Sequence, residues 1–510
     1  MNVSITPTPS PVLVIAIAGR IGSGTSFVRD RVEHALSKYA YEVVPIDVSR
    51  VILERTFSKL FEDAEKLADK SPTDRIQELQ VRGTRLRREF SADIVARLIV
   101  STVIALNLED PSKRKAYLID SLKHPDEVDY LRSVFGNAFY LVGVVATDGR
   151  RRQRLRERKG LDAEAFETLS RIDARESGTE EGQRTIDTVV QADYFFANNY
   201  HTVDGIEKEA NRFVRLIFGT RVDTPRLDEK GMSAAFIASN GSACLSRQVG
   251  AALFDASGEP MVTGCNDVPR FGGGLYSADS ISDKRCWCFG AKCYNDEEKS
   301  LILDEIRNHA ATSLSKALGC LPEEISQQIT ESSLREEFLE NFSSALNHSR
   351  VKDLIEFSRA VHAEMDAIVS AARVGRGALQ GSTMYCTTYP CHNCAKHLIA
   401  SGVARVVYLE PYEKSLARRL HPDAIADPMA EEPEANKLRL DLYSGAAPWR
   451  FDEFFKKDRQ RKRDGRYIDR DRHPSKYNPR GAIEVDVLRS RLEAATAAPL
   501  NEPRGPSNAV

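Results

Sequence analysis

The chain reads as α/β: an N-terminal parallel sheet with helices on both faces, followed by a second α/β unit. Three observations predict this. Apolar runs at Val12–Ala18, Ala116–Asp120 and Phe139–Ala146 alternate with helical stretches, the pattern of strands buried on both sides. Further on, Gln248–Asp255 and Glu259–Gly264 bracket a short Ala-Ser-Gly turn, which predicts a hairpin. Finally, all nine cysteines follow residue 243, so the two halves of the chain differ in chemistry.

A chain of 510 residues exceeds what one core supports. The expected organisation is a P-loop-type domain at 12–218, a linker at 219–231 and a second α/β domain at 232–455. A basic, partly disordered extension follows at 456–510. A net charge of −2 excludes nucleic-acid binding through overall positive charge and leaves only local basic patches. No apolar run reaches the roughly 18 residues of a membrane span, and Val12–Ala18 lacks a basic region before it. The expectation is a cytoplasmic protein without signal peptide or membrane segment. In that compartment closely spaced cysteines favour metal over disulfides.

Taken in order, Met1–Pro11 is a polar lead-in. The strand Val12–Ala18 runs into the Gly-rich turn Gly19–Ser26 and a helix to about Ala40, the context of a P-loop. Gly19, Gly22, Ser23, Gly24, Thr25 and Ser26 are the candidate nucleotide-binding residues, with a ligand-free glycine turn as the alternative. The lysine that usually follows the last glycine is Thr25 here, which argues for nucleotide binding without phosphoryl transfer. Glu42–Asp47 predicts a second strand and Val51–Ala105 mostly helix, with Arg82, Arg85, Arg87 and Arg88 on a solvated face. Asp120 ends a strand opposite the glycine turn and is a candidate for holding metal or substrate. Arg150–Lys159 is a basic helical run, either a lid over phosphates or a charged surface. Tyr194–Asn198 and Val203–Phe218 close the first domain.

The second domain opens with a helical Met232–Leu245. Gly264–Tyr276 is too glycine-rich for regular structure and predicts a loop near a ligand. A helical insertion spans residues 297–356, and strands are expected at Thr383–Thr387 and Arg405–Glu410. Phe451–Arg480 is dense in Lys and Arg, and the tail from about Ala494 is expected to be disordered.

His362 and Glu364 form an H-x-E unit, and Pro390, Cys391 and Cys394 form P-C-x-x-C; together they are the known signature of zinc-dependent nucleobase deaminases. Pro390 suits the first position of a helix, which would place both cysteines on its first turn, where the helix dipole favours thiolates. His362 supplies a third ligand, and three protein ligands leave the open position of a catalytic site. Residues two apart on a helix face opposite sides, so the H-x-E unit must sit at a helix entrance, with Glu364 moving protons and not binding metal. The alternative is a closed zinc site with His392 or Cys386 as fourth ligand. Cys286, Cys288 and Cys293 suggest a second metal, with no fourth ligand evident nearby.

Residues 232–423 resemble the deoxycytidylate deaminase family. Besides the two motifs, the matching pieces are Arg247–Ala252, Gly264–Pro269 and Tyr408–Tyr412. The resemblance implies a cytidine-deaminase fold with a mixed five-stranded sheet between helices and one catalytic Zn2+. It also implies that Asn266 hydrogen-bonds the sugar and that Ala363 meets the base through its backbone. With the P-loop-type domain ahead of it, the whole chain is similar to bacterial anti-phage dCTP deaminases, which convert deoxycytidine nucleotides to deoxyuridine nucleotides. Free deoxycytidine nucleotides are then the expected partners, in a homo-oligomer. The N-terminal domain would hold a nucleotide, or an inhibitory RNA or protein that restrains the enzyme. Two other readings stay open: a deaminase acting on bases in tRNA or single-stranded DNA, and a nucleotide kinase with a structural zinc module.

Overall fold

The computed structural model describes residues 10–54, 70–109, 113–176, 180–199, 203–320, 334–347, 349–375, 378–412, 414–430 and 434–497. Its first sheet contains β1 (Val12–Gly19), β2 (Glu42–Asp47), β3 (Lys115–Leu122), β4 (Phe139–Val145) and β5 (Tyr194–Ala197), all parallel in the order β5-β4-β1-β3-β2. β1 is wholly buried because its two faces feed different cores. Leu13, Ile15 and Ile17 face the helices Thr25–Ser37 and Val203–Phe218, and Val14, Ala16 and Ala18 face Ile94–Glu109.

The second sheet joins β6 (Gly250–Phe254), β7 (Pro260–Cys265), β8 (Thr383–Thr388), β9 (Arg405–Glu410) and β10 (Arg439–Leu442) in the order β10-β9-β8-β6-β7. β8, β9 and β10 are parallel, while β6 runs antiparallel to both β7 and β8, so the sheet is mixed. The chain then returns to the first sheet. β11 (Gly445–Ala446) pairs antiparallel with β5, so that sheet has six strands and is not purely parallel.

This return is locked by one buried ion pair. Arg212 holds Glu229 through two contacts of 2.7 Å, with side-chain exposures of 6% and 0%. The carboxylate also accepts from the amides of Ala446 (2.9 Å) and Arg226 (2.7 Å). A Cβ at Gly445, where φ is +133°, would lie 2.8 Å from Glu229 Oε1, so only glycine lets the strand approach this closely. Removing one partner leaves a buried charge uncompensated. Glu229→Ala is therefore expected to lower stability by about 3–5 kcal/mol, read from urea unfolding; a change below about 1 kcal/mol, the level of a surface pair, would contradict this role.

Several expectations are corrected here. The helix that opens the second unit is Leu227–Ser239, beginning inside the anticipated linker because Glu229 accepts the Arg226 amide at the helix entrance. Arg82 and Arg87 are buried instead of solvated, and Arg87 pairs with the buried Glu127 at 2.6 Å. In the basic run, Arg151 and Arg154 are also buried. They donate to the carbonyls of Ile21 (2.9 Å) and Ser23 (3.0 Å), clasping the glycine turn from outside. The extension folds back on the first unit. Arg459 donates to Phe218 O, Arg480 to Phe454 O, and the helix Val485–Ala497 buries Leu488, so order reaches past Ala494; residues 498–510 lie outside the described residues. Among the described residues no helix is long and apolar enough to cross a membrane.

Candidate active site

Two helix entrances converge, one preceding β8 in the chain and one following it. The first helix is Ala363–Arg373, with His362 at its N-cap in extended conformation (φ −72°, ψ 152°). The preceding residue is tied down, since the Val361 amide donates to Asp267 O at 2.9 Å. Asp366 accepts the Cys265 amide at 3.2 Å, and Gly264 lets β7 lie against the helix, because a Cβ there would meet Ala363 O at 2.5 Å. The second helix is His392–Ala400, capped by Cys391, whose Sγ accepts the Cys394 amide at 3.4 Å. Pro390 thus precedes the helix and does not occupy its first position. Cys391 stays extended (φ −69°, ψ 166°) so that its sulfur reaches back to the open amide of the first turn.

His362 Nδ1 lies 3.3 Å from Cys391 Sγ and 3.3 Å from Cys394 Sγ. Hydrogen bonding from Cys394 and from His362 holds the Cys391 thiol down at about 4, and the same contact lifts His362 to about 9. One imidazole nitrogen and two sulfurs within 4.8 Å of one another are a donor set that fits zinc. Neither His392 nor Cys386 belongs to this cluster. Cys386 is fully buried, and that burial pushes its thiol well up. Nor does a second group of three ligand atoms converge among the described residues, so the suggestion from Cys286, Cys288 and Cys293 is corrected. Cys288 is exposed, with its thiol directed to Asp283 O, while Cys286 and Cys293 line the site cavity beside Cys244.

Glu364, two residues into the helix, is 4% exposed and lines the same cavity of about 190 Å³ as His362 and Cys391. Burial raises its carboxyl pKa, and the nearby Cys391 sulfur raises it further. Burial thus favours the protonated form, which suits a group that must take up a proton and give it back. Ala363 and Asn266 also line this cavity. The Asn266 amide is partly engaged, accepting from Val249 N at 2.7 Å and donating to Arg247 O at 2.8 Å, which leaves one N–H and one lone pair for a ligand.

Two cavity residues were not anticipated. Arg359 Nη1 is buried without a hydrogen-bond partner, and its guanidinium lies 4.7 Å from the Phe289 ring centre and 4.9 Å from that of Tyr294. Asn295 Oδ1 is likewise unbonded, its Nδ2 being turned to Leu354 O at 3.2 Å. Nothing in the linear sequence sets Arg359 apart from other arginines, because the rings that hold it come from a segment some 65 residues earlier.

The glycine turn has the backbone expected of it, with φ of +82° at Gly22 and +88° at Gly24, and Gly24 opens the helix Thr25–Ser37. Gly19 ends β1 and Ser23 is buried. Ser26 Oγ donates to Asp120 at 3.3 Å, and Arg29 pairs with the same carboxylate at 3.2 Å. A Cβ at Gly24 would lie 2.4 Å from Asn198 Nδ2. None of Gly19, Gly22, Ser23, Gly24, Thr25 and Ser26 lines the cavity of the His/Cys/Cys cluster.

Residues 225–410 match the family model of the cytidine and deoxycytidylate deaminase zinc-binding region. Deoxycytidylate deaminase of Enterobacteria phage T4 is 29% identical over 184 residues, which is 36% of this chain and 78% of the phage protein. ComE operon protein 2 of Bacillus subtilis is 33% identical over 90 residues, 17% of this chain and 44% of that protein. A solved dCMP deaminase from cyanophage S-TIM5 is 17% identical, covering 43% of this chain and 99% of its own, with a TM-score of 0.23. The family match is confined to residues 225–410, which contain the His362/Cys391/Cys394 cluster; the first 224 residues lie outside it.

Proposed function

We propose that the chain hydrolytically deaminates free deoxycytidine nucleotides, dCMP or dCTP, to the deoxyuridine nucleotides with release of ammonia. The observation that carries this is the buried Glu364 beside the His362/Cys391/Cys394 triangle, in one cavity with Arg359, whose Nη1 has no hydrogen-bond partner. The three ligands would hold zinc, which when bound supplies the Lewis acidity that makes water nucleophilic near neutral pH. Glu364 takes the proton from water as its oxygen joins the ring carbon carrying the amino group. It passes that proton to the ring nitrogen, then takes the remaining hydroxyl proton and passes it to the amine; the C–N bond breaks, and ammonia leaves as the carbonyl forms. The Ala363 backbone would meet the base, and the remaining N–H of Asn266 would reach the sugar.

Arg359 favours a phosphorylated substrate, since its Nη1 is buried without a hydrogen-bond acceptor until an anion meets it. Arg359→Ala is expected to lower kcat/KM on deoxycytidine nucleotides about 10- to 100-fold, the worth of one charged hydrogen bond. Turnover of unphosphorylated deoxycytidine should change little, and equal losses on both would show that Arg359 does not read the phosphate.

Parallel assays with dCMP, dCDP, dCTP and cytosine-containing oligonucleotides test the substrate class. Turnover of the oligonucleotide alone would transfer the reading to a nucleic-acid deaminase. The basic extension offers that alternative less than its composition suggests, since Arg459 and Arg480 are spent on backbone carbonyls. An anti-phage role through dCTP depletion would follow from the proposed activity. It predicts a smaller dCTP pool after infection in cells carrying the protein than in cells carrying its Glu364→Ala variant.

A further inference from the structure

A second cavity, of about 260 Å³, lies between the two sheets. Its floor is the carboxyl ends of β1 and β4, through Arg20 and Thr147, and its roof comes from the second unit, through Tyr389, Tyr408, Tyr412 and Arg418. β1 and β4 are neighbours, and the chain leaves β1 toward β2 and β3 but leaves β4 toward β5. This is the switch point of an open parallel sheet, the crevice where such sheets take ligands.

Two buried polar atoms here, Thr147 Oγ1 and Arg418 Nε, have no hydrogen-bond partner, while Arg418 Nη2 donates to Leu440 O at 3.4 Å. Thr147 is 9% exposed and caps the helix Asp148–Lys159, yet its side chain makes no capping bond and its Oγ1 has no partner. An N-cap threonine ordinarily satisfies one of the open amides of the first turn. Arg418 Nε is buried and unbonded as well. Hydroxyl, guanidinium and helix N-terminus together suit a phosphate. The remaining walls include Asp148, whose carboxylate is paired with Arg20 and Arg151, and the hydroxyl of Ser415. The rest are apolar residues of β4, β9, β10 and the segment 186–190 with the tyrosine rings, which suit a flat base.

We propose that this interdomain cavity binds a nucleoside phosphate, with Arg418 and Thr147 on the phosphate and the tyrosine rings against the base. The site is distinct from the deaminase cavity, and its existence does not depend on the reaction assigned there. The competing occupant is the substrate's own phosphate tail, because Tyr389 and Tyr412 line both cavities.

The test is calorimetric titration of the full chain with ATP, GTP, dTTP and inorganic phosphate, none of which carries cytosine. At least one nucleotide is expected to bind, more tightly than phosphate alone. Arg418→Ala should weaken it at least tenfold and Thr147→Val severalfold, whereas Arg359→Ala in the other cavity should leave it unchanged. Circular dichroism establishes that the variants fold, and Thr147→Val carries the test if Arg418→Ala does not. The proposal is overturned if none of the three nucleotides binds at millimolar concentration, or if binding survives both substitutions intact. It is also overturned if no non-cytosine nucleotide binds while Arg418→Ala raises KM for dCTP but not for dCMP, which would give the cavity to the substrate's tail.

Discussion

Glu364→Ala is expected to reduce deamination about 10²- to 10⁴-fold, the usual contribution of a positioned acid–base group, while the zinc content stays near one per chain. The reason is geometric. Glu364 sits within the first turn of its helix and lines the cavity, but it is not among the three atoms that converge on one another. Its loss removes the group that shuttles protons and leaves the donor set intact. Turnover of dCMP or dCTP with metal analysis on the same preparation reads both halves. Wild-type turnover retained in the variant would remove Glu364 from the mechanism. Loss of zinc would make it a ligand or a support for one.

Cys391→Ala is expected to abolish both activity and zinc binding. Cys391 is a double keystone, since its sulfur is one of the three donors and also accepts the Cys394 amide that fixes the second cysteine's turn. Alanine supplies neither, and it leaves His362 and Cys394 as a two-point site that does not hold zinc against solvent. Metal content is decisive: full zinc occupancy in Cys391→Ala would contradict the ligand set, and zinc lost from both this variant and Glu364→Ala would merge the two roles.

Much of the local architecture was legible because period and composition encode it. Glu42–Asp47 and Arg405–Glu410 are strands over the residues their apolar patterns mark. Short-range logic failed where a distant residue changed the cost of burial. The arginines at 82, 87, 151 and 154 look like surface, but all four are buried; Arg151 and Arg154 meet partners far away in sequence, and Arg87 needs Glu127 to be there at all. The linker was misplaced for the same reason, since Glu229 is a helix-entrance residue only when Arg212 and the returning Gly445–Ala446 share it.

The sequence by itself picked out the His362, Glu364, Cys391 and Cys394 group that the structure brings together. Ligand type, a two-residue step and a three-residue step at helix entrances are local properties, and they survive without knowledge of the rest. Only the tertiary structure decided which groups face that chemistry and which merely surround it. It left Arg359 Nη1 buried without a hydrogen-bond partner and its guanidinium against two rings, kept Cys286, Cys288 and Cys293 from forming a second metal cluster among the described residues, and set β1 and β4 against the second unit around a second cavity. Those outcomes depend on burial and on partners brought from across the chain, which no local pattern records.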